Sequence, residues 1–372
     1  MTRTDWIQSF LVDRTQSVLV NESLSYSTPV QSGVPQGSVL GPLLFVLYIN
    51  DLTLSVVHPG SRVLTFADDT KLISKISTIN DKHNLQKTLN LIIKWSTLNN
   101  MQLNNSKFEF LSFNLNNNIN KSLLKELPFY NLFRSYETSQ NSTISPSAFV
   151  RDLGVMVDSS LSWNTHYNTI CKKARQICAW VLNTFHSRDV LAMLTLFKSL
   201  IRSKLEFCCE LWSPSMIKDI NSIEQIQRTF TSKINGMKDL NYWQRLQKLN
   251  LMSLQRRREK IIILHLFKIK TKLYPNTIGV TFKLHSRSNS MKAVLKPLPK
   301  VSGRLLSIYE ESFVIKSCKL WNVLPAKLTH IESLNEFKYN LEEFLSSIPD
   351  RPPLPGYPRQ TNNSLTEQYL LI

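Results

Sequence analysis

The chain has 372 residues, 42 % of them hydrophobic, which is length for two or three domains and apolar material for a sizeable core, and this excludes global disorder. Lys and Arg number 45 against 27 Asp and Glu, a net charge of +18, and an excess of that size selects a polyanionic partner, nucleic acid before an anionic membrane. Cys171, Cys178, Cys208, Cys209 and Cys318 are odd in number and form no C-x-x-C pair, a pattern that argues against a disulfide framework and for a reducing compartment. The N-terminus MTRTDWIQSF lacks the apolar stretch of a signal peptide, and the longest apolar runs, Val39–Ile49 and Ile261–Phe267, fall short of the roughly 18 residues a membrane span needs. The expectation is an intracellular protein with no membrane partner.

Trp6, Ile7, Phe10 and Leu11 stand at helical spacing and precede a strand-like Val18-Leu19-Val20. A Gly/Pro loop, Ser32–Ser38, leads into an apolar helix over Val39–Leu54, with Leu40, Leu43, Leu44, Leu47 and Asp51 on the face expected to be buried. Val63–Phe66 and Thr70–Ile73 are β-type runs around Asp68-Asp69 and predict a hairpin. Residues 79–98 predict a second helix through Leu85, Leu89, Ile92, Ile93 and Trp95. An Asn-rich stretch flanks a strand-like Phe108–Phe113, and residues 121–148 read as irregular. Val150–Val157 is a further strand, residues 166–274 are helical, Pro-poor and basic, and five prolines between Pro349 and Pro358 mark a tail expected to be disordered or polyproline-like. The charge is uneven: residues 1–113 carry 9 Lys/Arg and 8 Asp/Glu, leaving 36 and 19, a net +17, for the remainder.

Two constellations carry chemistry. The first is Phe66-Ala67-Asp68-Asp69. Adjacent carboxylates at the tight end of an apolar hairpin repel each other, and a divalent cation offsets that repulsion; Mg²⁺ takes hard oxygen ligands, commonly one or two carboxylates plus substrate phosphates. An isolated Asp-Asp is also a common solvated turn, so the context decides. That context is the second constellation, Ser32-Gly33-Val34-Pro35-Gln36-Gly37-Ser38-Val39-Leu40-Gly41-Pro42, in which Gly33 and Gly37 permit close backbone approach, Pro35 stiffens the loop, and a following helix aims free N–H groups outward.

SGVPQGSVLGPLLF, then YINDL, then FADDTKL resembles the reverse transcriptase of non-LTR retrotransposons of the jockey-like kind. The resemblance continues in family order through Trp6–Arg14, Leu103-Asn104 with Lys107 and Phe113, Leu153-Gly154-Val155 to Leu161-Ser162-Trp163 and His166, then Leu205–Cys208 with Trp212-Ser213-Pro214, Ile223–Arg228, and Trp321-Asn322 with Leu324-Pro325. It implies RNA-directed DNA synthesis on a right-hand polymerase fold, with an RNA template, a DNA primer, deoxynucleoside triphosphates and Mg²⁺, and two-metal phosphoryl transfer. Asp68 would be the principal metal ligand and Asp69 the weaker one. Gln36 and Gly37 would line the nucleotide and template side, Phe66 would pack beneath the primer end, and Lys107 would sit near the triphosphate or stand as a solvated lysine. Only Asp5 and Asp13 precede the loop, and neither matches the family's upstream metal-binding Asp. The implied chain is therefore a truncated polymerase without fingers, inactive alone; the alternative is a non-catalytic nucleic-acid-binding relic. The resemblance admits a nuclear location and leaves the oligomeric state open.

The third feature is the basic stretch 244–272, where Arg256, Arg257, Arg258 and Lys260 accompany the single acid Glu259. Such a helix either lays cations along a phosphate backbone or presents a solvated basic face. The expected architecture is α+β: a partial palm over 1–165, a helical basic thumb-like region over 166–275, a C-terminal extension over 276–348 and a disordered tail over 349–372.

Overall fold

Apolar periods of 3.6 and of two residues within one chain require helices and small sheets together, and the computed structural model of the protein is α+β in that sense. It describes residues 3–55, 60–113, 136–138, 143–295, 303–352 and 363–368. The Asn-rich segment from Asn114 and most of the stretch 121–148 lie outside the described residues. What is described forms two compact units, one of the residues up to Phe110 with those from 136 to Pro146, the other of residues 111–113 and those from Ser147 onward.

The first unit begins with α1 (Arg3–Leu11) and two nested antiparallel pairs, β1 (Thr15–Gln16) with β4 (Thr28–Pro29) enclosing β2 (Leu19–Val20) with β3 (Ser23–Leu24). α2 (Gly41–Ser55), the hairpin of β5 (Ser61–Phe66) and β6 (Asp69–Ser74), and α3 (Ile79–Leu98) follow. α3 starts on a capping box in which the Thr78 hydroxyl accepts from Asp81 N (3.2 Å) and the Asp81 carboxylate accepts from Thr78 N (2.7 Å). Ile49 and Leu52 of α2 meet Ile92 and Trp95 of α3, with Val63 and Leu72 of the hairpin against them. The Trp95 indole N–H donates to Asp51 (3.2 Å). The buried face of α2 is thus the Ile49–Leu52 side, whereas Leu43, Val46 and Leu47 are exposed. The helix is apolar almost all round, and periodicity alone does not choose which side a hairpin and one helix will cover. Two short strands, β7 (Tyr136–Glu137) and β8 (Thr143–Ile144), complete this unit. In place of a strand over Phe108–Phe113 there is one bridge, Phe110 to Pro146.

The second unit opens with β9 (Phe149–Asp152) and β10 (Val155–Asp158), joined by Leu153 and Gly154, both at positive φ (44° and 93°) as a two-residue hairpin of the primed kind demands. Residues 147–165, expected from the sequence to belong to the preceding segment, lie here with the helices. α4 (Asn164–Thr184) packs on β10 and on α8 (Ile217–Thr231). Between them α5 (Val190–Leu196) runs through a wide i→i+5 turn, Phe197–Arg202, into α6 (Ser203–Glu206), followed by α7 (Cys209–Trp212). After α8 come α9 (Tyr242–Lys248), α10 (Leu254–Lys270), the hairpin β11 (Thr281–His285) with β12 (Ser290–Val294), and α11 (Arg304–Glu310), α12 (Phe313–Asn322), α13 (Ala326–Thr329), α14 (Leu334–Ser347) and α15 (Leu365–Gln368).

α10 links the two cores of this unit. Leu254 belongs to the cluster of Tyr167, Phe197, Trp212 and Phe230, while Ile262, Ile263, Leu266 and Phe267 belong to that of Trp321, Phe337 and Leu341. A helix between two cores is enclosed over most of its surface, and Gln255, Arg256, Arg258 and Glu259 are buried along with most of the apolar positions. Its N-terminus is capped twice. The Ser253 hydroxyl accepts from Arg256 N (3.0 Å), and the wholly buried Glu224 carboxylate accepts from Leu254 N (3.1 Å), from Gln255 N (3.3 Å) and from the Tyr242 hydroxyl.

Burial pushes the Glu224 carboxyl up to about 7, against the lowering effect of its Tyr242 bond and of Arg258. Between its ordinary value of 4.5 and about 7 the native state therefore holds a proton that the unfolded chain has released. Stability from this group is complete below the lower value and is lost as pH rises through the upper one. In urea unfolding at pH 5 and pH 8, Glu224→Gln should gain stability relative to the parent at pH 8; a difference between the two that is independent of pH would contradict this.

Candidate functional site

The Gly/Pro loop is held by side chains from both of its ends. Arg14 donates to Leu11 O (2.9 Å) and Gly33 O (2.5 Å), and the Ser38 hydroxyl donates to Pro35 O (2.7 Å) while accepting from Gly41 N (3.0 Å). Gly33 and Gly37 sit at φ 80° and 82°, in the left-handed region that favours glycine. Gly41 is required by space, since a Cβ there would lie 2.8 Å from Pro35 O. Gln36 and Gly37 are exposed at the tip, and α2 starts directly behind them.

Phe66 and Asp69 face each other at the end of the β5–β6 ladder, and Ala67 and Asp68 make the two-residue turn. Ala67 takes φ 51°, a conformation that costs an L-residue roughly 1–2 kcal/mol, at the position where a tight hairpin turn usually has glycine. Phe66 is 65 % exposed, and Asp68 and Asp69 are both exposed, with no side-chain hydrogen bond or ion pair among the described residues. Lys107, in the 3₁₀ turn Asn105–Lys107, is exposed as well. The six residues singled out in this part of the sequence all lie in the first unit, and all present unengaged groups to solvent. No hydrogen bond joins the loop to the Asp pair among the described residues.

The fit to a metal follows from the donor chemistry. Asp68 and Asp69 offer hard, unencumbered carboxylate oxygens, suited to a divalent cation held by one or two carboxylates together with ligand phosphates. They do not form a closed protein cage, and among the described residues no group of three or more His, Cys, Asp or Glu side chains is placed to hold a metal ion.

The basic cluster is corrected by the fold. Arg256 and Arg258, at 0 % and 1 % exposure, lie inside the protein and present no phosphate-facing surface. Arg256 directs Nη2 at Gln368 Oε1 (2.8 Å), Asn363 O (3.3 Å) and Pro349 O (3.4 Å), and its charge faces Glu259 at 3.7 Å. Arg258 has no hydrogen-bond partner for its three nitrogens among the described residues, and its charge acts on buried Glu224. Arg257 forks onto Glu206, with Nη2 to Oε2 at 2.9 Å, and Lys260 is paired with Glu342. The physical reason is that α10 has a core on either side, and the Arg256 guanidinium buried there takes up carbonyls of neighbouring segments and the Glu259 carboxylate. The same contacts place the described part of the tail, expected to be disordered, against α10: Asn363 and Leu365 are each 1 % exposed, and Leu365 N donates to Glu259.

His166, inside one of the resembling segments, is a joint in the packing. Its Nδ1 accepts from Met156 N (3.2 Å), its ring lies 5.0 Å from that of Trp212, and burial lowers it to about 4, so it stays neutral near pH 7. Asp158, raised by burial and lowered more by four hydrogen bonds from Ser160 and Ser162, stays below its ordinary value and ties β10 to the start of α4. Glu206, Glu342 and the tail acceptors were not identifiable from the sequence as partners, because they lie 51 to 112 positions from the cations they engage.

Residues 1–167 match the family described as "Reverse transcriptase (RNA-dependent DNA polymerase)". The chain is 27 % identical over 236 residues to the "Probable RNA-directed DNA polymerase from transposon X-element" of Drosophila melanogaster, covering 62 % of this chain and 24 % of that protein. It is 24 % identical over 239 residues to the "RNA-directed DNA polymerase from mobile element jockey" of the same species, covering 62 % and 25 %, and 23 % identical over 239 residues to its counterpart in Drosophila funebris, with the same coverage. The chain thus spans about a quarter of the length of the curated relatives it matches. No solved structure matches it. No described helix is long and apolar enough to cross a membrane.

Breaking a buried ion pair costs about 3–5 kcal/mol, and Arg256→Ala should lower the unfolding free energy on that scale, while Arg257→Ala, whose side chain is 23 % exposed, should cost less. Neither should change the salt dependence of RNA binding. An Arg256→Ala variant of full stability whose salt slope on single-stranded RNA flattens by about 0.7 for each phosphate it no longer neutralises would return this arginine to the phosphate-binding role.

Proposed function

With a reverse-transcriptase sequence in its first 167 residues, related to the polymerases of the X-element and jockey, we propose that the chain acts in RNA-directed DNA synthesis of a non-LTR retrotransposon, the exposed pair Asp68 and Asp69 serving as its metal-binding carboxylates. The observation that carries this reading is the pairing of that sequence match with two unengaged carboxylates at the tip of a strained hairpin. The substrates are an RNA template, a DNA primer and deoxynucleoside triphosphates, and the cation is Mg²⁺. The cation supplies charge neutralisation and orientation at the phosphate undergoing in-line displacement.

The remaining roles fall to side chains. Asp68, in the turn, is the principal ligand, and Asp69, fixed in the ladder opposite Phe66, is the second. Phe66 offers an aromatic face to the primer end. Gln36 and Gly37 approach the nucleotide and template with backbone that Gly33 and Gly37 leave unhindered, and Lys107 neutralises triphosphate charge. In this reading the first unit is the palm, the helices that follow are the thumb, and the paired carboxylates are left without protein partners so that their ligands arrive with the substrate.

Primer extension on an RNA template with Mg²⁺ tests the proposal. Asp68→Asn should lower extension by about a hundredfold or more, equivalent to about 2.7 kcal/mol of transition-state stabilisation, with folding unchanged because the side chain is exposed. No extension by the parent chain at any protein concentration would favour the alternative, a nucleic-acid-binding relic.

A further inference from the structure

A cavity of about 580 Å³ opens in the second unit, lined by Lys198 and Arg202 of the wide turn after α5, Trp243 of α9, Arg257 of α10 and Arg351 of the C-terminal segment. Its two lining carboxylates are already engaged. Glu342 pairs with Lys260, and Asp350 accepts from Ser253 N (2.6 Å) and from the Asn363 side-chain amide (2.6 Å). Arg257 and Arg202 share a single carboxylate, Glu206, the second at 3.9 Å. Counting Lys260 and Glu206 with the lining, five cations face three carboxylates, and two positive charges are left over.

The surplus belongs to identifiable side chains. Lys198 is exposed and has no hydrogen-bond or ion-pair partner among the described residues. The Arg351 guanidinium lies over the Trp243 ring at 5.9 Å, and the Trp243 indole N–H donates to Pro352 O (2.9 Å), which fixes the chain beside it. A guanidinium laid on an indole face is held there by cation–π attraction and keeps its N–H edge available for a second partner. Lys198 and Arg202 stand four apart on one helical turn, a like-charge pair that destabilises a helix unless an anion lies between them. The turn that carries them has i→i+5 bonding, a rare geometry that recurs at functional sites.

We propose that this cavity is a phosphate-binding site, taking a phosphate of a nucleic-acid strand or of a free nucleotide through Lys198 and Arg351, with Arg202 and Arg257 adding to the field. The two sources share one chemistry, a phosphate oxygen accepting from ammonium and guanidinium donors. The site is built from residues between 198 and 351, outside the 1–167 family match, and stands or falls independently of the polymerase reading.

Calorimetric titration of the full chain at low salt with a ten-nucleotide single-stranded RNA, and separately with dATP, tests it. Lys198→Glu and Arg351→Glu should each weaken binding at least tenfold in one arm, with far-UV circular dichroism unchanged and melting temperature not lowered for Lys198→Glu. Asp68→Asn should leave this difference intact, which separates the cavity from the hairpin. Weakening in the RNA arm, with a salt slope reduced by about 0.7 for each phosphate no longer neutralised, assigns a strand phosphate; weakening in the dATP arm assigns the nucleotide. Equal affinity of Lys198→Glu and the parent in both arms overturns the site.

Discussion

The second unit depends on one carboxylate. Glu224 sits at the N-terminus of α10, where it takes the first two free N–H groups of the helix and the Tyr242 hydroxyl. α10 can run between two cores only if its buried end is satisfied, because an orphaned N–H inside a protein has no water to replace the missing partner. A side chain from α8 supplies what no local cap could supply alone, and in doing so fixes α8, α9 and α10 in mutual register. The C-terminal tail joins the same knot through Asp350 and Asn363 at Ser253.

That knot changes the meaning of the protein's charge. Along the chain, an Arg-Arg-Arg run in a segment of strong positive excess looks like a surface made for phosphate. In the folded unit Arg256 and Arg258 are enclosed, and the charges of Arg256 and Arg257 are engaged by contacts within the protein, to Glu259 and the tail and to Glu206. Among the cations that line the cavity, those left free for a ligand are Lys198 and Arg351 on its indole platform. In the first unit the net charge is small, and the unengaged groups at the hairpin tip are the carboxylates Asp68 and Asp69.

The local grammar of the fold was legible in the sequence. The hairpin around Asp68-Asp69, the helices over 41–55 and 79–98 and the helical stretch after 166 follow from short-range periodicity. The α2 face was misread, because Leu43 and Leu47 obey the same period as Ile49 and Leu52, and only tertiary partners decide between them. The burial of Arg256 was illegible for a related reason: the residues that hold its guanidinium come from about a hundred positions away, and charge patterning does not report that distance. The candidate site divides in the same way. Gln36, Gly37, Phe66, Asp68, Asp69 and Lys107 were found from motifs and lie exposed, whereas the cavity at Lys198 and Arg351 draws on four separated segments and left no motif.

The central claim is that metal-dependent chemistry belongs to the unengaged carboxylates of the hairpin and not to the acids buried beside α10. Paramagnetic relaxation by Mn²⁺, used in place of Mg²⁺ in the presence of an RNA–DNA primer-template and a nucleotide, reads this directly in amide NMR spectra. The account predicts selective broadening of the signals of Ala67 to Thr70, absent in an Asp68→Asn, Asp69→Asn double variant. Broadening centred on Glu224 or Glu259, or broadening of the hairpin signals that survives in the double variant, would contradict it.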